Sequence, residues 1–211
     1  MTMDPRFSEV VTSESQFRAV MGHPSELIVR KHIHALDDYC RRFVARSPFL
    51  LFASAGEGGC MDVSPKGDPA GFVQVLDDHT LVIPERPGNR RADTFGNLLV
   101  NAQVALIFLV PGKRETLRIN GRAFIARDAW IRDRMAINGK VPDFAIVVHV
   151  HEAFFHCAKC MVRSNLWEPS AWPDTEGLPS LAETSVAHAK LDTPVEEVQA
   201  LIDRGLRERL Y

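Results

Sequence analysis

Cysteine is scarce and scattered in this 211-residue chain: Cys40, Cys60, Cys157 and Cys160 are the only four. That is too few for a disulfide framework at this length. Long hydrophobic runs are missing as well. The longest wholly apolar stretch, Val104–Val110, is of strand length, well short of the roughly 18–20 residues that a membrane span needs. The opening residues MTMDPRFSEV hold no apolar core of signal-peptide length. An excess of either charge is lacking too: 25 Lys and Arg stand against 27 Asp and Glu, a formal charge of −2. A nucleic-acid binder is usually basic overall. There is no internal repeat and no low-complexity tract. The expectation is a cytoplasmic protein with neither nucleic acid nor membrane as a partner.

What is present is ordinary for a chain that buries a core, 45% hydrophobic and 25% charged. Residues 1–47 read as a helical extension. Ser13 and Gln16 fit a capping box, Pro24 can begin a second helix, and Leu36, Tyr39, Cys40, Phe43 and Val44 form an amphipathic stripe. Pro48 ends that region. From Phe49 the period changes to that of strands: FLLFASA, then an alternation through Cys60, Asp62 and Ser64, then Gly71–Leu76 and Thr80–Pro84 around an Asp77-Asp78 turn. A helix is expected from about Arg91 to Val100, and strands over Val104–Val110, Glu115–Ala126 and Phe144–Phe155. The alternation slips at Gly121, which suggests a bulge. A short helix over Ala129–Ile137 is expected to end at Asn138-Gly139. Another helical turn is expected over Cys157–Asn165. A last helix is expected to be capped by Thr193 with Pro194 in its first position and Glu196 completing a capping box. Six or seven short strands with short helices between them suggest a small antiparallel barrel.

Chemistry concentrates between Asp62 and Arg91. Two Pro/Gly-rich loops carry cations, Lys66 in SPKG and Arg86, Arg90 and Arg91 in ERPGNRR, and the hairpin between them can turn both loops the same way. Arg90 and Arg91 sit at a helix start. Cations there oppose the helix dipole, so a bound anion such as phosphate is the better explanation than a solvated end. Arg86 reads as exposed. The Cys157-x-x-Cys160 pair, with His149, His151 and His156 nearby, could supply zinc ligands. There is only one such pair and no βαβ pattern around it, so ordinary thiols and no metal are expected. No spacing of carboxylates argues for a paired acid–base mechanism, and no catalytic residue can be named.

Four segments, FLLFASA, MDVSPKGDPAGFVQVLDDHTLVIPERPGNRRADTFGNLLVNAQVALIFLVPG, ETLRINGRA and FFHCAKCMVRSNLW, stand in an order and spacing that resemble the pyridoxamine 5′-phosphate oxidase-related, FMN-binding split-barrel family. The likeness covers about Pro48–Pro169. It is nearest to an oxidase-like flavoprotein branch of unassigned substrate. It implies a mainly β (α+β) fold, a six- to seven-stranded antiparallel split β-barrel with N-terminal helices and a C-terminal helix. The implied divisions are 1–47 (helical extension), 48–169 (barrel) and 170–211 (C-terminal loop and helix). It further implies a homodimer with FMN at the subunit interface. By position, Ser64, Pro65, Lys66 and Gly67 would lie near the flavin ring and ribityl chain. Val82, Ile83, Pro84, Asn89, Arg90 and Arg91 would hold the ring edge and phosphate. Thr116 would contact the flavin, and Lys159, Arg163 and Trp167 would approach it from the partner. Thr116 stands where the oxidases have Gln, and Ile83-Pro84 and Asn89 stand where they have Tyr-Thr and Ser. The C-terminal Arg and His that bind their substrate have no counterpart here. The implied function is FMN-dependent oxidoreduction of a small organic substrate, oxidase-like or flavin-reductase-like. The alternatives are a non-catalytic FMN carrier or redox sensor, and a zinc-supported interaction module on Cys157 and Cys160.

Overall fold

A computed structural model describes residues 4–211, in two compact units, one ending at His32 and one of Ile33–Tyr211. In the first unit the capping box forms as the sequence suggests. The Gln16 N–H donates to Ser13 Oγ and the Ser13 N–H to Gln16 Oε1, opening α1 (Glu14–Met21). The second helix, α2, is Glu26–Arg30, with Ser25 rather than Pro24 before it. Neither helix contains a buried residue.

The second unit begins with α3 (Asp38–Val44), whose N-terminal Asp37 carboxylate accepts from the Cys40 N–H at 2.8 Å. Of its expected apolar stripe, Leu36, Cys40, Phe43 and Val44 are buried while Tyr39 is exposed, and burial pushes the Cys40 thiol up to about 12. The strands follow: β1 (Phe49–Ala55), β2 (Met61–Gly67), β3 (Gln74–Asp77), β4 (Thr80–Glu85), β5 (Gln103–Leu109), β6 (Thr116–Ala126) and β7 (Phe144–His156). They make one antiparallel sheet in the order β2-β1-β5-β6-β7-β4-β3, and the sheet is not closed by backbone pairing. This is the expected split barrel. The helix α4 (Asp93–Val100) lies against β1, β2 and β6. Inward side chains of five strands, among them Leu50, Phe52, Leu81, Ile83, Leu106, Phe108, Leu117, Ile119 and Ile146, form the core.

The sheet is strongly sheared. Lys66 on β2 lies in a row running through Leu50, Phe108 and Leu117 to Phe155, near the end of β7. Glu85 on β4 pairs with Phe144 at the other end of β7. Yet Lys66 Nζ donates to Glu85 Oε2 at 2.6 Å. Opposite corners of the sheet meet because tilt and stagger are linked when a small sheet curls into a barrel.

The slip expected in β6 is real: the register shifts between Asn120 and Gly121. A side chain at Gly121 would put its Cβ 2.1 Å from the His149 carbonyl oxygen, so only glycine fits this bulge. Other expectations are corrected. Gly71–Val73 is not strand. The helix after β4 starts at Asp93, not Arg91, and α5 ends early, at Ala129–Arg134. Beyond β7 come α6 (Lys159–Arg163), α7 (Leu181–Ala189) and α8 (Val195–Glu208). The helix α7 was not expected, although Ser180 and Glu183 form a complete capping box. For α8 the reverse holds: Pro194 is the N-cap and no side chain caps the helix, so the Thr193–Glu196 box does not form.

Candidate functional site

The side of β2 that turns inward carries Asp62, Ser64 and Lys66, every second residue of an edge strand. An edge strand leaves backbone groups unpaired, and this one is covered by α4. Three polar contacts fix the cover. Asn97 Nδ2 donates to Ser54 Oγ (2.9 Å) and Asp62 Oδ2 (2.8 Å), and the Ser64 and Thr94 hydroxyls are 3.1 Å apart. The Lys66 side chain, 11% exposed, runs over the Phe52 ring to Glu85. Lys66 is therefore partnered inside the chain.

Arg86 is partnered even more fully, and the expectation that it lies exposed is corrected. Its Nε donates to Asp68 Oδ2 at 2.6 Å and its Nη2 to the Met135 carbonyl at 2.8 Å. The Asp68 side chain is 1% exposed, and its other oxygen accepts from the Tyr211 hydroxyl at 2.9 Å. A buried carboxylate needs such partners, since an ion stripped of water is costly unless it is paired and hydrogen-bonded.

The loop leading into α4 is built differently. Arg90 (φ 63°) and Ala92 (φ 57°) both adopt the left-handed conformation, a strained choice for non-glycine residues. Ala92 is the N-cap of α4 and has no side chain that can accept from the first-turn amides. The Asn89 side chain accepts from the Arg91 N–H at 3.0 Å instead. Arg91 is exposed and pairs with Asp93 at 2.9 Å, which raises the affinity of its guanidinium for its proton. Arg90 is exposed and has no carboxylate partner among the described residues. An uncapped helix start beside two exposed guanidinium groups is suited to binding an anion.

The remaining expected residues divide into two groups. Val82, Ile83 and Pro84 are buried in β4. The pairing of β4 with β3 ends at Val82, so beyond that residue this edge of β4 has no strand beside it. Pro65 and Gly67 face outward on β2. These residues, with Ser64, Lys66 and Asn89–Arg91, share one corner of the barrel. Thr116 opens β6, where it pairs with His156, and in the sheet order β1 and β5 stand between that strand and β2. Near that second region Trp167 Nε1 donates to the Lys113 carbonyl at 2.8 Å, while Lys159 and Arg163 are exposed on α6. Cys157 and Cys160 are exposed free thiols, and no group of His, Cys, Asp and Glu among the described residues could hold a metal ion.

The partners Asp68, Glu85, Asn97 and Tyr211 were not among the residues singled out from the sequence. The comparisons with known proteins cover this same barrel. The family pattern described as pyridoxamine 5′-phosphate oxidase matches residues 36–157. The chain belongs to this family. No curated protein matches it. Solved structures that resemble it include HupZ from Group A Streptococcus, 17% identical, with a TM-score of 0.48 over 57% of this chain and 93% of that one. Another is a protein related to general stress protein 26 from Clostridium acetobutylicum, 17% identical, with a TM-score of 0.41 over 56% and 85%. A third is an FMN-binding protein from Syntrophomonas wolfei, 11% identical, with a TM-score of 0.42 over 68% and 96%. At that level of likeness none of them bears on the activity. Among the described residues no helix is long and apolar enough to cross a membrane.

Proposed function

We propose that the corner formed by β2, β4 and the start of α4 is half of an FMN site in an oxidoreductase acting on a small organic substrate. Membership of the family supports the cofactor class, but the observation that carries the reading is local. The residues present fit a phosphate. Arg90 and Arg91 are exposed beside a helix start that no side chain caps, and two left-handed residues, Arg90 and Ala92, hold that loop in place. Arg90, Arg91 and Asn89 would hold the phosphate end. The edge of β4 at Ile83–Pro84 that β3 leaves open and the residues Ser64–Gly67 would lie along the ribityl chain and ring. When bound, FMN supplies the two-electron chemistry, taking a hydride from one substrate and passing electrons to an acceptor. The chain's own part is to bind and orient. Lys66 and Arg86 are already paired to Glu85 and Asp68, so they stiffen the walls rather than reach for the ligand.

In this reading Thr116, Lys159, Arg163 and Trp167 belong to a second half-site that meets a partner's first half in a homodimer. The outward face of β1 and β2 supports an interface between copies. Phe49, Leu51, Met61 and Val63 are exposed on that face, with Leu51 diagonal to Val63 across the β1–β2 pair, and exposed apolar side chains grouped in this way suit an interface. A second reading, a non-catalytic FMN carrier, is favoured by one observation. The carboxylates of the corner, Asp62, Asp68, Glu85 and Asp93, are all engaged by amides or cations, which leaves no evident general base. Incubation of flavin-loaded protein with NADH or NADPH and an acceptor separates the two: turnover identifies the enzyme, and none across a broad panel identifies the carrier. The binding claim is tested by FMN titration of the wild type and of Arg90→Ala/Arg91→Ala. A wild-type protein that takes up no FMN would contradict both readings.

A further inference from the structure

We infer that Tyr211 is a positioning residue for the phosphate end of the site, acting through Asp68 and Arg86; this rests on the FMN reading above. Asp68 follows β2 directly and Arg86 follows β4 directly, so their ion pair ties together the exits of the two strands that carry Lys66 and Glu85. The pair is more deeply buried than the Lys66–Glu85 pair, with side chains 1% and 16% exposed. Both carboxylate oxygens of Asp68 are used: Arg86 Nε takes Oδ2 and the Tyr211 hydroxyl takes Oδ1. The Arg86 guanidinium also stands 5.6 Å from the centre of the Tyr211 ring, within cation–π range. Tyr211 therefore touches both members of the pair.

The mechanical consequence follows from the order of residues. Arg86 is succeeded by Pro87, whose φ is fixed, and three residues later by Arg90. Whatever holds Arg86 sets where the Asn89–Arg91 loop begins. Without the hydroxyl, Asp68 Oδ1 loses its donor in a buried place, and the carboxylate is free to turn away from Arg86. The carboxylate beside it raises the Tyr211 phenol above its ordinary range, so the hydroxyl stays a donor throughout the neutral region. Tyr211 also lies outside the stretch that matches the family, residues 36–157. Asp68 and Arg86 lie within the matched barrel, and the C-terminal segment adds the tyrosine that completes the clasp.

Tyr211→Phe is the direct test, because it keeps the ring and removes one donor. Titrations with FMN and with riboflavin, read by quenching of flavin fluorescence, give two affinities for each protein. The expected result is an FMN Kd raised about tenfold, because the loop that holds the phosphate is less well preorganised, with riboflavin affinity unchanged. Hydrogen exchange of the ligand-free protein should quicken in residues 66–72 and 86–92 and nowhere else in the barrel. Wild-type FMN affinity in Tyr211→Phe would overturn the inference while leaving the FMN reading intact. Equal losses for FMN and riboflavin would overturn it too, since they would mark a general loss of structure. A wild-type protein that binds neither flavin overturns both.

Discussion

The four cations of the barrel corner, carried on two Pro/Gly-rich loops, meet opposite fates. Lys66 and Arg86 are drawn inward, 11% and 16% exposed, and each meets a carboxylate from another strand end. Arg90 and Arg91 remain outside, one paired only to its neighbour Asp93 and the other to no carboxylate among the described residues. The difference teaches which cations serve the fold and which are left for a ligand. A buried charge must be neutralised within the chain before the protein folds, so its partner is already present. A charge held beside an uncapped helix start, on a strained loop, gains little for the fold and is free to bind an anion.

Breaking the inner pair should have the largest effect. Asp68→Ala leaves Arg86 unpaired, and removing one partner of a buried ion pair costs about 3–5 kcal/mol; urea unfolding followed by circular dichroism measures it. A loss under about 1 kcal/mol would mean that the pair is effectively solvated. Next comes the outer pair. Arg90→Ala/Arg91→Ala should weaken FMN binding by about a hundredfold, as expected when charge-assisted hydrogen bonds are lost, with stability changed by no more than about 0.5 kcal/mol. If stability fell while FMN affinity held, the assignment of the two pairs would be reversed.

Lys66→Met keeps most of the aliphatic stem over Phe52 and removes the ammonium, with its contact to Glu85 and its weak cation–π approach to Phe52. A cost of about 1–2 kcal/mol is expected, smaller than for Asp68→Ala because Glu85 is 32% exposed and can turn to water. The smallest effect lies far from the corner. The Glu183 carboxylate accepts from the Ser180 N–H at 2.6 Å, which holds its pKa below the usual glutamate range. A depressed folded-state pKa contributes stability above the ordinary value of about 4.3 and loses it as pH falls through the lower one. Amide exchange at the start of α7 should therefore quicken below that range. Glu183→Gln should leave much less of this pH dependence, while the corner is unaffected.

Features set by neighbours in sequence were legible in the chain. The β6 bulge could be placed because its alternation slips at a glycine, and the α1 capping box because both of its members lie within four residues. The antiparallel barrel followed from strand-length runs separated by turn residues. Features set by distant partners were not legible. Arg86 was misplaced because its carboxylate lies 18 residues away and the tyrosine that completes the clasp lies 143 residues from Asp68. No local pattern encodes that proximity; the shear of the sheet creates it. Two errors were of another kind. The α7 box, Ser180 with Glu183, was there to be seen directly after the loop rich in Pro and Trp. At α8 the proline itself became the N-cap, which displaced the expected Thr193.

The proposed division of labour between the two cationic pairs rests on one measurable property, phosphate-dependent flavin binding. Equilibrium titration with FMN and riboflavin, on the wild type and on Arg90→Ala/Arg91→Ala, measures it directly. The account predicts a wild-type protein that takes up one FMN per chain and prefers it strongly to riboflavin, and a double variant that keeps its riboflavin affinity and loses that preference. Equal affinity for the two flavins in the wild type, or a preference that survives the double substitution, would contradict it.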